Sequence, residues 1–133
     1  MGIYLLDTCT ISDFFKGIGN TENRIRDVSP DEIAISAVTV MEVLYGFELN
    51  PASRRRYTKA FESFCTVTEV IPVDFVLAEK ATELRAILKT NGTPIGPWDL
   101  LIAASACSRN CILVSSNISE FSRVPGLKVE SWR

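Results

Sequence analysis

Short apolar runs of strand length alternate along this chain with longer segments of helical periodicity, and this alternation restricts the possible folds more than any other feature. The predicted strands are residues 3–6, 33–35, 69–71, 111–114 and 128–130. The predicted helices are residues 8–16, 21–27, 39–49, a segment beginning at Pro51, 75–90 and 97–108. This order is typical of a single α/β domain, residues 1–133, with a mostly parallel central sheet of four to five strands.

The spacing of apolar residues and of helix start signals adds local predictions. Asn50 and Asp74 are expected to cap the two helices that follow them, and Pro51 suits a first helical turn. The inward face of the helix after Asn50 is predicted to be Tyr57, Ala60, Phe61 and Phe64. The other aromatic residues expected in the core are Phe14, Phe15, Tyr45 and Phe47.

Four acidic residues stand in apolar sequence without neighbouring charges. The acids, with the range in which each is the only charged residue, are Asp7 (1–12), Glu42 (33–47), Asp99 (90–108) and Glu120 (110–122). A carboxylate in apolar surroundings must find a partner, or its pKa rises. Only Glu120 has a basic residue three or four positions away, namely Arg123. A shared Mg²⁺ or Mn²⁺ would provide the missing partner, because both ions favour oxygen ligands.

Each of the four acids also has an ordinary structural explanation, and these alternatives stay open at this point. Asp7 could cap the turn after its strand. Glu42 follows Thr39 by three residues, which is the spacing of a capping box. Asp99 lies in a first helical turn, where the helix dipole favours an acid. Glu120 could be a surface residue paired with Arg123.

The composition excludes several classes of enzyme. The chain has no histidine, so histidine-based nucleases, Ser-His-Asp hydrolases and HExxH proteases are ruled out. The four cysteines form no CxxC pair and are predicted to be buried, reduced thiols, with a structural zinc site as the alternative. Reduced thiols suit a cytoplasmic protein. No apolar stretch is long enough to span a membrane, and no basic residue precedes the first apolar run as in a signal peptide.

The sequence around the four acids resembles a known family. The matching blocks are LLDT at residues 5–8, SAVTVMEVLYG at 36–46, GTPIGPWDLLIAA at 92–104 and LVSSNISEF at 113–121. They are similar to the PIN domain, in particular to the VapC toxins of bacterial toxin–antitoxin pairs. The resemblance implies a three-layer α/β/α sandwich and a Mg²⁺- or Mn²⁺-dependent endoribonuclease. It also implies a homodimer that is inhibited by a cognate VapB-type antitoxin.

The resemblance further assigns site residues. The metal-binding and catalytic acids would be Asp7, Glu42, Asp99 and Glu120, the last standing where many members have aspartate. Hydroxyl support is implied for Thr8 and Ser115, and Asn117 follows the same strand as Ser115. A cysteine, Cys9, stands where many members have asparagine or serine, and a thiol is a weak hydrogen-bond donor.

The expected reaction is attack of cation-activated water on an RNA phosphodiester, leaving a 5′-phosphate and a 3′-hydroxyl. The basic residues predicted to bind RNA are Arg123 and Lys89, whereas the Arg54–Lys59 cluster is read as a solvated helix face. Initiator tRNA is the substrate expected from the resemblance. Two alternatives remain: a catalytically silent PIN-like binding module, and a phosphatase of the haloacid-dehalogenase type. The phosphatase lacks support because its second aspartate is replaced by Cys9.

Overall fold

The computed structural model describes residues 3–133, so the first two residues of the predicted domain lie outside the described part. The strands are β1 (Tyr4–Leu6), β2 (Ile33–Ser36), β3 (Glu69–Ile71), β4 (Ile112–Val114) and β5 (Val129–Glu130). The helices are α1 (Thr8–Lys16), α2 (Thr21–Asp27), α3 (Ala37–Leu49), α4 (Pro51–Val67), α5 (Phe75–Thr90), α6 (Pro97–Arg109) and α7 (Ile118–Phe121). All five predicted strands are present.

The five strands form one sheet in the order β3-β2-β1-β4-β5, and every neighbouring pair is parallel. Alternate residues of a strand point to opposite faces of the sheet, so Leu5 and Leu6 enter two different cores. Leu5 packs with residues of α5 and α6, while Leu6 packs with residues of α1 and α4. The predicted three-layer α/β/α sandwich is therefore confirmed.

The first strand is central to the sheet, and its neighbours β2 and β4 lie on opposite sides. The chain runs from β1 outward to β2 and β3, then returns to place β4 on the other side of β1. In parallel sheets, the crevice beyond the carboxyl ends of strands at such a reversal is the usual ligand site. Asp7 directly follows β1 at this position, and Ser115 directly follows β4.

Helix α3 begins two residues earlier than predicted. The hydroxyl of Ser36 accepts a hydrogen bond from the backbone N–H of Val38 (3.0 Å) and caps the helix. Thr39 is therefore a buried residue inside the helix, and the capping-box explanation for Glu42 is wrong. The cause is the last residue of β2: Ser36 is still paired with Ile71 of β3, so the chain turns into the helix immediately after it.

Two core predictions are also wrong, although both predicted caps are confirmed. Tyr45 is 60% exposed and Ala60 is also exposed. Each residue lies on the side of its helix that faces solvent. Asn50 and Asp74 each accept a hydrogen bond from a backbone N–H of the helix that follows. Within residues 3–133 no disulfide joins the four cysteines, as predicted for reduced thiols, and Cys111 is buried whereas the other three are partly buried. None of the helices within residues 3–133 has the length and apolar character needed to cross a bilayer.

Candidate active site

Asp7 is buried at the junction of β1 and α1, where both its carboxylate and its backbone N–H form hydrogen bonds. Its Oδ1 accepts a hydrogen bond from the backbone N–H of Thr10 (2.9 Å), which caps α1. Its own N–H donates to the carbonyl of Val114 at the end of β4 (3.1 Å). The capping explanation for Asp7 is thus correct, and the cap uses only part of the hydrogen-bonding capacity of a carboxylate.

The thiol of Cys9 lies against the same carboxylate, at 3.1 Å from both Oδ1 and Oδ2 of Asp7. Burial and then the charge of Asp7 raise the pKa of Cys9, so the thiol keeps its proton and donates it weakly to the carboxylate. The Sγ atom is also 3.2 Å from the hydroxyl of Ser116 and 3.9 Å from that of Ser115. Cys9 therefore connects the end of β1 to the segment after β4.

Glu42 comes from α3 and is oriented by a hydroxyl of α1. The Thr8 hydroxyl donates a hydrogen bond to Oε1 of Glu42 (2.6 Å), and it lies 3.5 Å from the hydroxyl of Thr39. Thr8 thus contacts one of the four acids through its hydroxyl, and its support of the site stays a prediction. This contact fixes the direction of the half-buried Glu42 side chain. On an ordinary helix surface, a lysine or arginine would be the partner of such an acid.

Asp99, in the first turn of α6, is the acid whose pKa shows most clearly the effect of the other acids in the site. Burial, followed by the negative charge of Glu120 and a hydrogen bond to it, raises the pKa of Asp99 to about 6. The charges of Glu42 and Asp7 raise this pKa further. All four acids that the sequence singled out therefore interact, although they belong to segments that are distant along the chain.

Glu120 keeps its charge beside Asp99. Partial desolvation is the largest influence and raises the pKa of Glu120, but it is outweighed by hydrogen bonds from Asn117 and the backbone of Gly96, so the pKa is lowered. The Asn117 side-chain amide donates to Oε2 (2.7 Å), and the Gly96 N–H donates to Oε1 (3.2 Å). Ser115 accepts a hydrogen bond from the N–H of Asn117 (3.0 Å) and so positions that residue. Of the two neighbouring carboxyls, Asp99 is therefore the one that takes up a proton first.

A cavity of about 390 Å³ unites the site at the carboxyl ends of β1 and β4. Its walls include Asp7, Glu42 and Asp99, and Glu120 reaches it through its contact with Asp99. Within residues 3–133, no three acidic or thiol side chains are placed as the direct ligands of one ion. Asp7, Glu42 and Glu120 instead accept hydrogen bonds from protein groups, and Asp99 shares a hydrogen bond with Glu120, so direct ligation by all four would require side-chain rotations.

The two basic residues predicted to bind RNA lie outside this cavity wall. Arg123 donates a hydrogen bond from Nη1 to the carbonyl of Pro94 (3.1 Å), and its charge contributes to the lowered pKa of Glu120. Lys89 lines a separate cavity together with Arg85. Their roles in RNA binding stay predictions. The charged side chains of the Arg54–Lys59 cluster are exposed, in agreement with the solvated helix face predicted for it.

Sequence reasoning missed an ion pair in the wall of this cavity, formed by Asp13 and Arg133. Asp13 is followed three residues later by Lys16, which is the spacing of an ordinary ion pair on a helix surface. In the structure Asp13 is buried and bound to Arg133 instead. The one available signal was the spacing of three residues between Thr10 and Asp13, which places both on the same buried side of α1.

Comparison with known proteins identifies the family. The family model described as the PIN domain matches residues 4–127 of the chain. The chain belongs to the PIN-domain family. This membership leaves the haloacid-dehalogenase alternative without support.

Relatives of this PIN domain are known from both sequence and structure. It is 36% identical to a protein of Salmonella typhimurium named tRNA(fMet)-specific endonuclease VapC, over 97% of each chain. It is also 36% identical to Ribonuclease VapC2 of Rickettsia felis, over 75% of this chain and 74% of that protein.

Solved structures show the same fold as this PIN domain. The crystal structure of DNA-bound VapBC from Salmonella typhimurium matches with a TM-score of 0.90 and 34% identity, covering all of both chains. The structure of VapBC2 from Rickettsia felis bound to a promoter DNA fragment matches with a TM-score of 0.86 and 30% identity, over 98% of each chain.

Proposed function

We propose that this PIN domain is the toxin of a VapBC-type pair and acts as a metal-dependent endoribonuclease. The observation that carries the proposal is the convergence of Asp7, Glu42 and Asp99 in one cavity, with Glu120 against Asp99. Relatives named ribonuclease or endonuclease VapC, at similar chain length, support the RNA-cleaving activity. The absence of histidine is compatible with it, because carboxylates and a divalent ion suffice for phosphodiester hydrolysis.

The four carboxylates fit a hard divalent cation by their chemistry. They supply only oxygen donors, and Mg²⁺ usually keeps several waters, so few direct protein ligands are needed. Asp7 and Asp99 would hold the ion, with Glu42 and Glu120 acting directly or through water. When bound, the cation would make water a better nucleophile and would offset negative charge on the phosphate. The raised pKa of Asp99 supports this proposal, because after burial its causes include the negative charges of Glu120, Glu42 and Asp7, which a cation would offset.

Other residues of the chain prepare the site for this reaction. Thr8 directs Glu42 into the cavity, and Asn117 keeps Glu120 ionised. Cys9 covers the carboxylate of Asp7 with a weak donor. Such supporting contacts keep acidic groups in place before any ion binds, and outer contacts of this kind are worth roughly 10- to 100-fold in metal affinity or activity.

The direct test is RNA cleavage by the purified protein with and without divalent ions. We expect cleavage that stops with EDTA and resumes with excess Mn²⁺ or Mg²⁺, and products with a 5′-phosphate and a 3′-hydroxyl. Initiator tRNA should be included among the RNAs, because a relative is named for that substrate. Cleavage that persists in EDTA would contradict the metal-dependent reaction. Binding of RNA without any cleavage would favour the silent binding module.

Metal binding should also stabilise the protein in a pH-dependent way. The pKa of Asp99 lies above its usual value, so its contribution to stability is fully present at low pH and is lost as the pH rises through about 6. A cation must displace that proton below this pH but not above it. We therefore expect a larger rise in melting temperature with Mn²⁺ at about pH 7.5 than at about pH 5. Equal shifts at both pH values, or no shift, would contradict the shared site.

The VapBC structures that this chain resembles make a VapB-type antitoxin the expected partner, and we include a homodimer in the proposal. Apolar side chains on the outer side of α3 are compatible with such contacts, since Met41, Leu44 and Tyr45 are exposed. A monomeric mass in light scattering would contradict the dimer. A cytoplasmic location remains part of the same proposal.

A further inference from the structure

The cavity contains a fifth acid whose charge is already compensated. Asp13 is 4% exposed, and its carboxylate receives two hydrogen bonds from the guanidinium of Arg133, at 3.1 Å from Nε and 2.9 Å from Nη2. A buried carboxylate without a partner is costly, and a two-bond contact with arginine is the strongest pairing available to it. The pair thus fixes a cation in the wall of the cavity that Asp7, Glu42 and Asp99 also line.

The backbone around Arg133 is held as firmly as its side chain. The carbonyl of Trp132 accepts hydrogen bonds from the N–H of Asn20 (3.0 Å) and from the hydroxyl of Thr21 (3.4 Å), and the Trp132 ring is buried in the core. Gly19 lies directly against the next residue: a Cβ on Gly19 would be 2.6 Å from both Cα and C of Arg133. Two features require glycine at residue 19: this close approach to Arg133 and the left-handed φ of +65°.

The guanidinium is only partly used by Asp13. The Arg133 side chain is 52% exposed, and within residues 3–133 its remaining N–H groups donate no hydrogen bond to protein. A guanidinium has five N–H donors, so one side can bind a carboxylate while another binds a phosphate. The only other cation in the wall of this cavity, among the described residues, is Lys16.

The chemistry of the cavity requires such a cation. Its acids attract metal ions but repel the RNA phosphates on either side of the reacting one. We propose that Arg133 binds a backbone phosphate of the RNA beside the cleaved bond, and that Asp13 is the positioning residue that holds it there. This inference rests on the proposed ribonuclease function and deepens it. It assigns a substrate-binding role to a residue outside the four-acid set.

The first test replaces the charge. Arg133→Gln is expected to raise the RNA concentration for half-maximal cleavage roughly ten-fold, with little change in kcat, because binding rather than the chemical step is weakened. It should also lower the slope of log affinity against log salt by about 0.7 to 0.9, the value for one phosphate contact. A merely structural role would not change that slope. The matched control is Arg109→Gln: Arg109 also pairs with a carboxylate, that of Glu69 (2.6 Å), but at the amino ends of the strands.

Because Arg133→Gln leaves Asp13 buried without its partner, a second variant protects the test against loss of folding. In Asp13→Asn/Arg133→Gln the two amides can hydrogen-bond to each other without charge. This double variant should melt close to the wild type and still show the weaker RNA binding and the smaller salt slope. Wild-type RNA affinity and wild-type salt slope in both variants would overturn the inference.

A third test moves Arg133 without changing any charge. Gly19→Ala forces the backbone of Arg133 to shift, whereas Gly17→Ala imposes the same left-handed strain (φ +67°) with no atom within 4 Å of the new methyl group. We expect weaker RNA binding with Gly19→Ala than with Gly17→Ala; equal affinities would count against a positioned Arg133.

If the wild type cleaves RNA but the Arg133 variants match it, only the inference fails. If the wild type does not bind or cleave RNA, the proposed function fails and the inference falls with it.

Discussion

Asp7→Asn and Asp99→Asn are each expected to lower RNA cleavage by roughly 100-fold or more while the protein stays folded. The reason is that both replacements remove a charge that the proposed cation needs but keep the size of the side chain. At residue 7 the amide oxygen can still accept the hydrogen bond from the N–H of Thr10, so α1 keeps its cap. At residue 99 the change removes the carboxyl that shares a proton with Glu120, which should relieve repulsion in the metal-free protein.

The measurement is the rate of RNA cleavage with saturating Mn²⁺, together with thermal melting of each variant. Asp74→Asn is the matched control, because Asp74 also caps a helix, α5, but lies outside the cavity. Asparagine is about as good a cap as aspartate, so the control should melt and cleave like the wild type. Full activity in both Asp7→Asn and Asp99→Asn would reject the four-acid site, even if the fold were intact.

Phe61→Ala is expected to lower the free energy of unfolding by about 3–5 kcal/mol, the largest stability effect that we predict for a single substitution. Phe61 is 2% exposed and lies between Phe15 and Phe47, with ring centroids 6.1 Å from each in edge-to-face orientation. Its removal leaves a cavity where α4 meets α1 and α3. Since domains are stable by only about 5–15 kcal/mol, this loss is a large share of the total free energy of unfolding.

Urea denaturation followed by circular dichroism measures this effect. Phe75→Ala is the control: Phe75 is 77% exposed at the start of α5, so its removal should change the free energy of unfolding by no more than about 0.5 kcal/mol. Similar unfolding midpoints for the two variants would contradict the assignment of Phe61 to the core. A partner that covers Phe75 would not affect this comparison, provided that it is made with the chain alone.

The sequence was sufficient to locate the acids because their positions follow from local rules. Asp7 comes at the end of a predicted strand, and Asp99 follows a proline that opens a helix. In a parallel sheet the carboxyl ends of strands share one edge, so their convergence is a consequence of topology. The missing local counter-charges then indicated that these residues interact with each other.

The errors arose where tertiary contacts decide between locally equivalent choices. Ser36 and Thr39 are both good caps, and only the pairing of Ser36 with β3 determines which one begins α3. The apolar residues of α3 surround the helix, so periodicity alone could not show that Tyr45 faces outward. The Asp13–Arg133 pair joins residues at opposite ends of the sequence, a contact for which no local pattern exists.

The sheet order also determines when the protein can begin to act during its own synthesis. β1 is made first, but its neighbour β4 and the acids Asp99 and Glu120 are made in the last third of the chain. A ribosome that has translated only residues 1–90 has produced Asp7 and Glu42 in a sheet that still lacks one side. The four-acid cavity therefore cannot assemble until the chain has been synthesised as far as Glu120 and β4 has paired with β1.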